Sequence, residues 1–246
     1  MTPRARTRLF AVAAAGFAAL LIWGTSGLPE FGHYHGRYGK IVSHAAVAER
    51  QTTNAVTATV FDFRGLDTLG EELILFAAVT GVALLLREHR EDNVPDLLDP
   101  VRSDAVRSLG ITFAAATLVL GLWVVAHGAI TPGGGFQGGV VLASALLLLW
   151  LAGAFRPYRR LTPTSVLDFG HGTGAGGYVA IGLIALFLGT PFLHNVLPYG
   201  VAGKLSSGGS IPLLNWATAL EVTAAFVLLF SEFLEERAFV VAEDAE

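Results

Sequence analysis

Cysteine is absent from the 246 residues. That excludes disulfides, thiol chemistry and cysteine-held zinc or iron–sulfur sites. Charge is scarce as well: Asp, Glu, Lys and Arg make up 15% of the chain, against about 25% in a soluble domain. The net charge of −4 is too weak to describe a nucleic-acid surface. The seven histidines form no His-Glu-x-x-His pair. His33 and His35 lie in a Gly/Tyr-rich stretch that reads as a solvated loop, with a weak surface metal site as the minor alternative. No phosphate loop, dinucleotide fingerprint or Gly-x-Ser-x-Gly elbow is present, so nothing implies a resident cofactor.

Apolar residues are plentiful, at 53%. A helix crosses a bilayer with about 20 of them at 1.5 Å each. Six runs qualify: 9–24, 67–86, 109–127, 136–154, 174–193 and 213–233. The expected fold is all-α, a polytopic membrane protein of about six transmembrane helices, rather than a low-charge soluble α/β protein. The first run follows Arg4, Arg6 and Arg8 and reads as a retained anchor, with a cleaved signal peptide as the alternative.

Positive charge sets the expected orientation. With both termini cytoplasmic, eleven arginines lie inside (4, 6, 8, 87, 90, 102, 107, 156, 159, 160 and 237). Only four cations, Arg37, Lys40, Arg50 and Lys204, lie outside. The expected location is the cell membrane. The polar, proline-containing segment 88–106 separates a two-span part from a four-span part.

From Asn54 to Leu86 is 33 residues, about 50 Å as one helix, while the hydrocarbon core is about 30 Å. The stretch must therefore break, tilt or re-enter near 54–70, with Gly65 and Gly70 as candidate breaking points. Asp67 and Glu71 share a helical face and repel, so a nearby cation or a raised pKa is expected, and Arg64 is the local candidate cation. They can equally be headgroup-level acids at a helix start. Asp62 and Arg64 can also pin the helix to a neighbouring subunit.

Between the third and fourth runs stands Thr131-Pro-Gly-Gly-Gly-Phe-Gln-Gly-Gly. Pro132 begins or bends a helix, and Gly133, Gly134, Gly135, Gly138 and Gly139 permit unusual backbone angles and close approach. Tight packing of a re-entrant turn is the first reading, and N–H groups facing an anion or carboxylate the second. His127, at the end of the third run, titrates in the range of proton transfer, or makes an interfacial hydrogen bond. Asp168 and His171 are three apart near an expected inner boundary, which suits a proton entry point or an ordinary cap.

Glu221 is the strongest single candidate. It lies about 12 Å into an apolar run, with Thr218 three residues before it and Asn215 and Thr223 nearby. A carboxylate there must be neutralised or paired. It either handles protons or ions, or serves as hydrogen-bonded packing glue.

Two stretches resemble subunits of the multisubunit cation/proton antiporters of the Mrp or Mnh family. Asp62-Phe-Arg-Gly-Leu-Asp-Thr-Leu-Gly-Glu resembles an element near the C-terminus of the large A-type subunit, which also occurs in the small E-type subunit of membrane-bound hydrogenases. His127 to Gly139 resembles the signature of the B-type subunit, usually His-Asn-x-Pro-Gly-Gly-Gly-Phe-x-Gly-Gly. Here Gly128 and Ala129 replace the polar residue and the His-to-Pro spacing is longer.

The resemblance implies a fusion. Residues 1–92 form a two-span E-type region, 93–99 a polar linker, 100–238 a four-span B-type domain and 239–246 a polar tail. It also implies Asp67, Glu71 and Glu72 as ion-path acids of the first half, and exchange of Na+ or another monovalent cation for H+. The implied partners are the bilayer and other membrane subunits, including large antiporter-like ones. The expected function is thus a non-enzymatic subunit holding part of a carboxylate-lined route. The alternative is a structural subunit of a hydrogenase or complex-I-like redox-driven pump. An independent transporter or an intramembrane enzyme fits less well, since no inverted repeat is evident.

Overall fold

The computed structural model describes residues 3–28, 36–87, 103–153 and 155–243. His33, His35 and the expected linker 93–99 lie outside the described residues, as do 244–246 of the expected tail. The described residues form nine α-helices and one short π-helix, with no strand among them. Four helices are long and apolar enough to cross a membrane: Arg4–Ser26, Gly65–Arg87, Asp104–Ala126 and Ile211–Glu235.

The chain divides into two compact units, residues 1–41 and 42–246. The first contains α1 (Pro3–Ser26), whose apolar side chains, Phe10, Ile22 and Trp23 among them, are exposed throughout. Helix α2 (Arg37–Ala48) starts in the first unit and ends in the second, where Val42 and Ala46 are buried.

In the second unit the expected break is present. Asn54 caps α3 (Ala55–Ala58), its side-chain oxygen accepting from the N–H groups of Val56 and Thr57. A π-helix follows at Thr59–Phe63, then Arg64 at φ −135° and ψ 33°, and α4 starts afresh at Gly65 and runs to Arg87. The wider π turn leaves the Val60 carbonyl accepting from the Thr68 hydroxyl at 2.6 Å, so a side chain closes the ladder that the break opened. Gly70 does not break the chain; it continues α4.

Helix α5 (Asp104–Ala126) packs chiefly on α6 (Gly135–Leu151), and the short α7 (Phe155–Leu161) follows. Helix α8 (Thr164–Phe187) begins ten residues before the expected span and ends six before its expected limit; residues 188–193 form turns instead. The glycine-rich run Gly170–Gly177 would weaken a lone helix, yet it stays helical with Gly170, Gly174 and Gly177 as contact points. A Cβ at Gly174 would stand 2.7 Å from the Cα of Glu221, and one at Gly177 would touch Ala217. Close tertiary packing overrides weak propensity there.

Helix α9 (Ile211–Glu243) is the axis of this unit, with α4, α6 and α8 packed around it. One apolar cluster, with Phe61, Leu69, Tyr178 and Leu214, fills the Gly65 end. Another, with Val79, Ala83, Leu167 and Leu228, fills the Arg87 end.

Candidate functional site

The glycine loop 127–134 is built by two asparagines. Asn54 Nδ2 donates to the carbonyls of Gly128 and Thr131, both at 2.8 Å, and to Thr57 Oγ1 at 2.7 Å. Asn54 N–H donates to the Ala129 carbonyl, and the Thr53 hydroxyl to that of Ile130. Gly133 and Gly134 sit at φ +145° and +143°, angles that side-chain-bearing residues rarely adopt.

The first N–H of α6, that of Gly135, donates 2.7 Å to Asn215 Oδ1. This donor is thus met by a neutral amide of the same chain. Gly128 stands where the resembling signature carries a polar residue, and a Cβ there would be 2.9 Å from Asn215 Nδ2. The glycine leaves the room that Asn215 fills. Gly139 likewise lets α6 approach Val222 of α9. Pro132 is exposed, and Gly138 is pressed against Val125.

Asn215, Thr218 and Glu221 follow at three-residue spacing on α9, and all are buried. Glu221 and Glu72 of α4 are each 0% exposed. Their carboxyl groups are near enough to interact electrostatically, with Thr218 beside Glu72. The Thr218 hydroxyl makes no well-aligned bond, and no protein donor among the described residues reaches any of the four carboxyl oxygens. Ionised carboxylates only accept. Two of them side by side in a buried site call for a proton or a cation between them. Glu72 lies about 10 Å into α4 and Glu221 about 15 Å into α9.

Glu71, the neighbour favoured by the shared helical face, is exposed. It faces an open cavity of about 550 Å³ between the π-helix and the glycine loop, lined also by Thr57, Thr68, Gly134 and Gln137. Asp67 pairs with Arg64 as expected, but at an exposed position. The two acids are therefore not held by one cation. Asp62 pairs with Arg50 of the same chain, whose guanidinium also lies over the Phe63 and Tyr199 rings.

At the other end of the unit, Arg87 holds two acids. Its Nε donates to Glu232 Oε1 at 2.6 Å, while Nη1 and Nη2 donate to the two Asp168 oxygens at 3.0 and 3.1 Å. Asp168 and His171 share α8, but Asp168 is exposed, whereas His171 is buried against the Phe76 ring at 4.6 Å with no partner for Nε2. His127 ends α5 at the opposite end, its Nδ1 3.0 Å from the Trp123 carbonyl and its ring stacked on that of Trp123.

Sequence reasoning missed Glu232, Asn54 and the roles of Arg87 and Arg50. Glu232 lies eleven residues after Glu221, three helical turns on the same stripe, and that spacing is a readable signal. The pairings of Arg50 and Arg87 span loops or helices, and no local pattern marks them.

A family described as a domain related to the MnhB subunit of Na+/H+ antiporter matches residues 105–228, just over half of the chain. The chain belongs to this family. The MnhB-related part thus includes α5 to α8 and most of α9, with Glu221, and excludes Glu72. An uncharacterized protein of Methanocaldococcus jannaschii is 30% identical over 217 residues, covering 75% of this chain and 80% of that protein. A probable A/B-type component of a K+/H+ antiporter of Rhizobium meliloti is 27% identical over 85% of this chain, which spans only 23% of that protein. The B-type component of the Na+/H+ antiporter of Bacillus subtilis is 33% identical over 84 residues, 33% of this chain and 57% of that protein.

Among solved structures, a chain of the membrane-bound sulfane sulfur reductase, an archaeal respiratory membrane complex, superposes with a TM-score of 0.72 at 30% identity. The match covers 93% of this MnhB-domain chain and 98% of that one. A chain of the Mrp complex from Dietzia matches in fold, with a TM-score of 0.71 at 21% identity over 92% of this chain and 26% of that one.

Proposed function

We propose that this chain is a membrane subunit of an Mrp/Mnh-type cation/proton antiporter-like complex, and that the Glu72–Glu221 pair is its proton- and cation-handling centre. The observation that carries the proposal is two fully buried, electrostatically interacting carboxyls that no protein donor among the described residues reaches. The pair holds a proton. A monovalent cation such as Na+ arriving at the pair displaces that proton, and reprotonation releases the cation. The cavity at Glu71 is the vestibule on the Gly65 side. Asp67, at its exposed pair with Arg64, adds negative charge near the mouth.

The pair is made across two parts of the chain, since Glu72 precedes the MnhB-related residues and Glu221 lies within them. We read this as a fusion, with residues 1–92 as the A- or E-type element, 93–99 as a linker and 100–238 as the B-type domain. The match to the rhizobial A/B-type protein extends well beyond residues 105–228 and supports that reading. The partners would be other membrane subunits, large antiporter-like ones among them, in a cell membrane with both termini cytoplasmic.

The likeness to a chain of the sulfane sulfur reductase, covering 98% of that chain, favours a second reading. In it the same protein serves a complex whose ion movement is driven by redox chemistry in other subunits.

The test is Glu72→Gln and Glu221→Gln, each in the assembled complex, with cation-dependent proton movement measured in membrane vesicles. Each variant should assemble and lose at least about a hundredfold in rate, the lower end of what a positioned proton-transfer group contributes. Normal assembly with normal flux in both variants would defeat the proposal. Loss of the complex without an intrinsic transport defect would make the pair structural glue.

A further inference from the structure

We infer that His171 is a proton-only stepping group between the Glu72–Glu221 pair and the ion cluster of Arg87, Asp168 and Glu232. This rests on the reading of the carboxyl pair as the proton-handling centre.

Two helices place the imidazole independently. On α4, Phe76 is four residues past Glu72, about 6 Å further toward the Arg87 end, and its ring touches that of His171 at 4.6 Å. On α8, Gly174 lies against the Glu221 backbone, and His171 is three residues nearer the Arg87 end, about 4.5 Å. Both measures set His171 one turn beyond the pair. Asp168 stands a further turn on, close enough to interact electrostatically with the ring, and Arg87 ties it to Glu232. Asp168 of its own helix interacts with the ring directly, and axial position sets Glu72 and Glu221 on one side of His171 along the bundle and Arg87 and Glu232 on the other.

The surroundings select the cargo. His171 is 3% exposed, and its Nε2 is buried without a partner. An orphaned imidazole nitrogen in an interior is costly. The cluster beyond the pair is largely apolar, with Val79, Ala83, Leu167 and Leu228 buried there, and its Tyr158 hydroxyl is bonded to Ser231. A monovalent cation leaving the carboxylates would meet only that hydroxyl pair as oxygen ligands among these side chains. A proton needs only the ring. Uptake on one ring nitrogen gives the imidazolium, loss from the other restores the neutral ring as the opposite tautomer, and reorientation resets it. The route toward Arg87 thus carries protons and excludes the cation, while the vestibule at Glu71 serves the cation.

The experiment uses the assembled complex in vesicles. His171→Gln keeps a polar side chain without a proton-relaying ring, and His171→Asn does so with a smaller one. Rates are taken per amount of complex in the membrane. The expected result is a loss of at least about a hundredfold in cation-dependent proton movement, a changed pH profile, and an unchanged half-saturating cation concentration. Normal rate and pH profile in the histidine variants, with Glu72→Gln and Glu221→Gln still defective, would overturn the relay and leave the carboxyl centre standing. Normal flux in all four variants would remove both. Loss of the complex in both histidine variants would also overturn the relay, because a packing residue would behave that way.

Discussion

Gly174 of α8 lies directly against the main chain of Glu221 on α9, where a Cβ would stand 2.6 Å from the Glu221 Cβ and 2.7 Å from its Cα. A glycine-rich helix is thereby the wall that fixes the key carboxylate. Gly174→Val forces α8 away from α9. Overpacking of this kind costs about 1–3 kcal/mol. The expected outcome is a lower melting temperature of the purified complex together with reduced flux. Gly172→Ala, at a position with open space around it, should leave both unchanged.

Arg87 is the shared partner of Asp168 and the buried Glu232. Arg87→Gln leaves the Glu232 carboxylate without its cation. The cost should be about 2–3 kcal/mol, below the value for a fully buried pair because Arg87 is about a third exposed. Adding Glu232→Gln should restore most of the loss, as thermal unfolding of single and double variants would reveal. A double variant no more stable than Arg87→Gln would show that the pairing with Glu232 matters little.

The Asn54 side chain donates to two carbonyls of the glycine loop, those of Gly128 and Thr131, while capping α3. Asn54→Asp keeps the cap and removes the donors, placing a carboxylate beside the carbonyls of Gly128 and Thr131. It should therefore be worse than Asn54→Ala, whose cost is about 1–3 kcal/mol for orphaned groups. Limited proteolysis within 127–134 would rank the two. Equal resistance in both variants and the unsubstituted protein would contradict this account of the loop.

Tyr199 lies in the loop before α9, where burial, and after it the nearby Asp62 carboxylate, pushes its hydroxyl above the usual phenol range. A folded-state value above the unfolded one means that the folded form binds the proton more tightly. This contribution is present below about pH 10, the unfolded value, and is lost as pH rises through the folded value. Tyr199→Phe should flatten the fall of stability in that alkaline window and leave the neutral range unaffected, as denaturation midpoints across pH would record.

The all-α fold, the break after Asn54 and a sheltered position for Glu221 were legible in sequence, because helix rise, bilayer length and the cost of a lone acid are simple rules, although among the described residues four helices rather than the six expected are long and apolar enough to cross. The choice between Glu71 and Glu72 was not. Helix α4 is apolar nearly all round beyond its first turns, so its periodicity does not say which flank is buried, and the face shared by Asp67 and Glu71 turned out to be the exposed one. Only the resemblance brought Glu72 forward. The extent of α8 was hidden for a different reason: glycines that weaken a lone helix are the residues that let two helices touch, and sequence alone does not distinguish these uses. The Arg50–Asp62 and Arg87–Glu232 pairs depend on how loops and helices return, which no local spacing encodes.

The central claim is that Glu72 and Glu221 hold a proton which a cation displaces. Infrared difference spectra of the complex, recorded on adding Na+ at constant pH, test it most directly through the carbonyl stretch of a protonated carboxyl. The account predicts that Na+ removes such a band in the unsubstituted complex, and that the change is missing in both Glu72→Gln and Glu221→Gln. The same band change persisting in both variants, with normal flux, would contradict it.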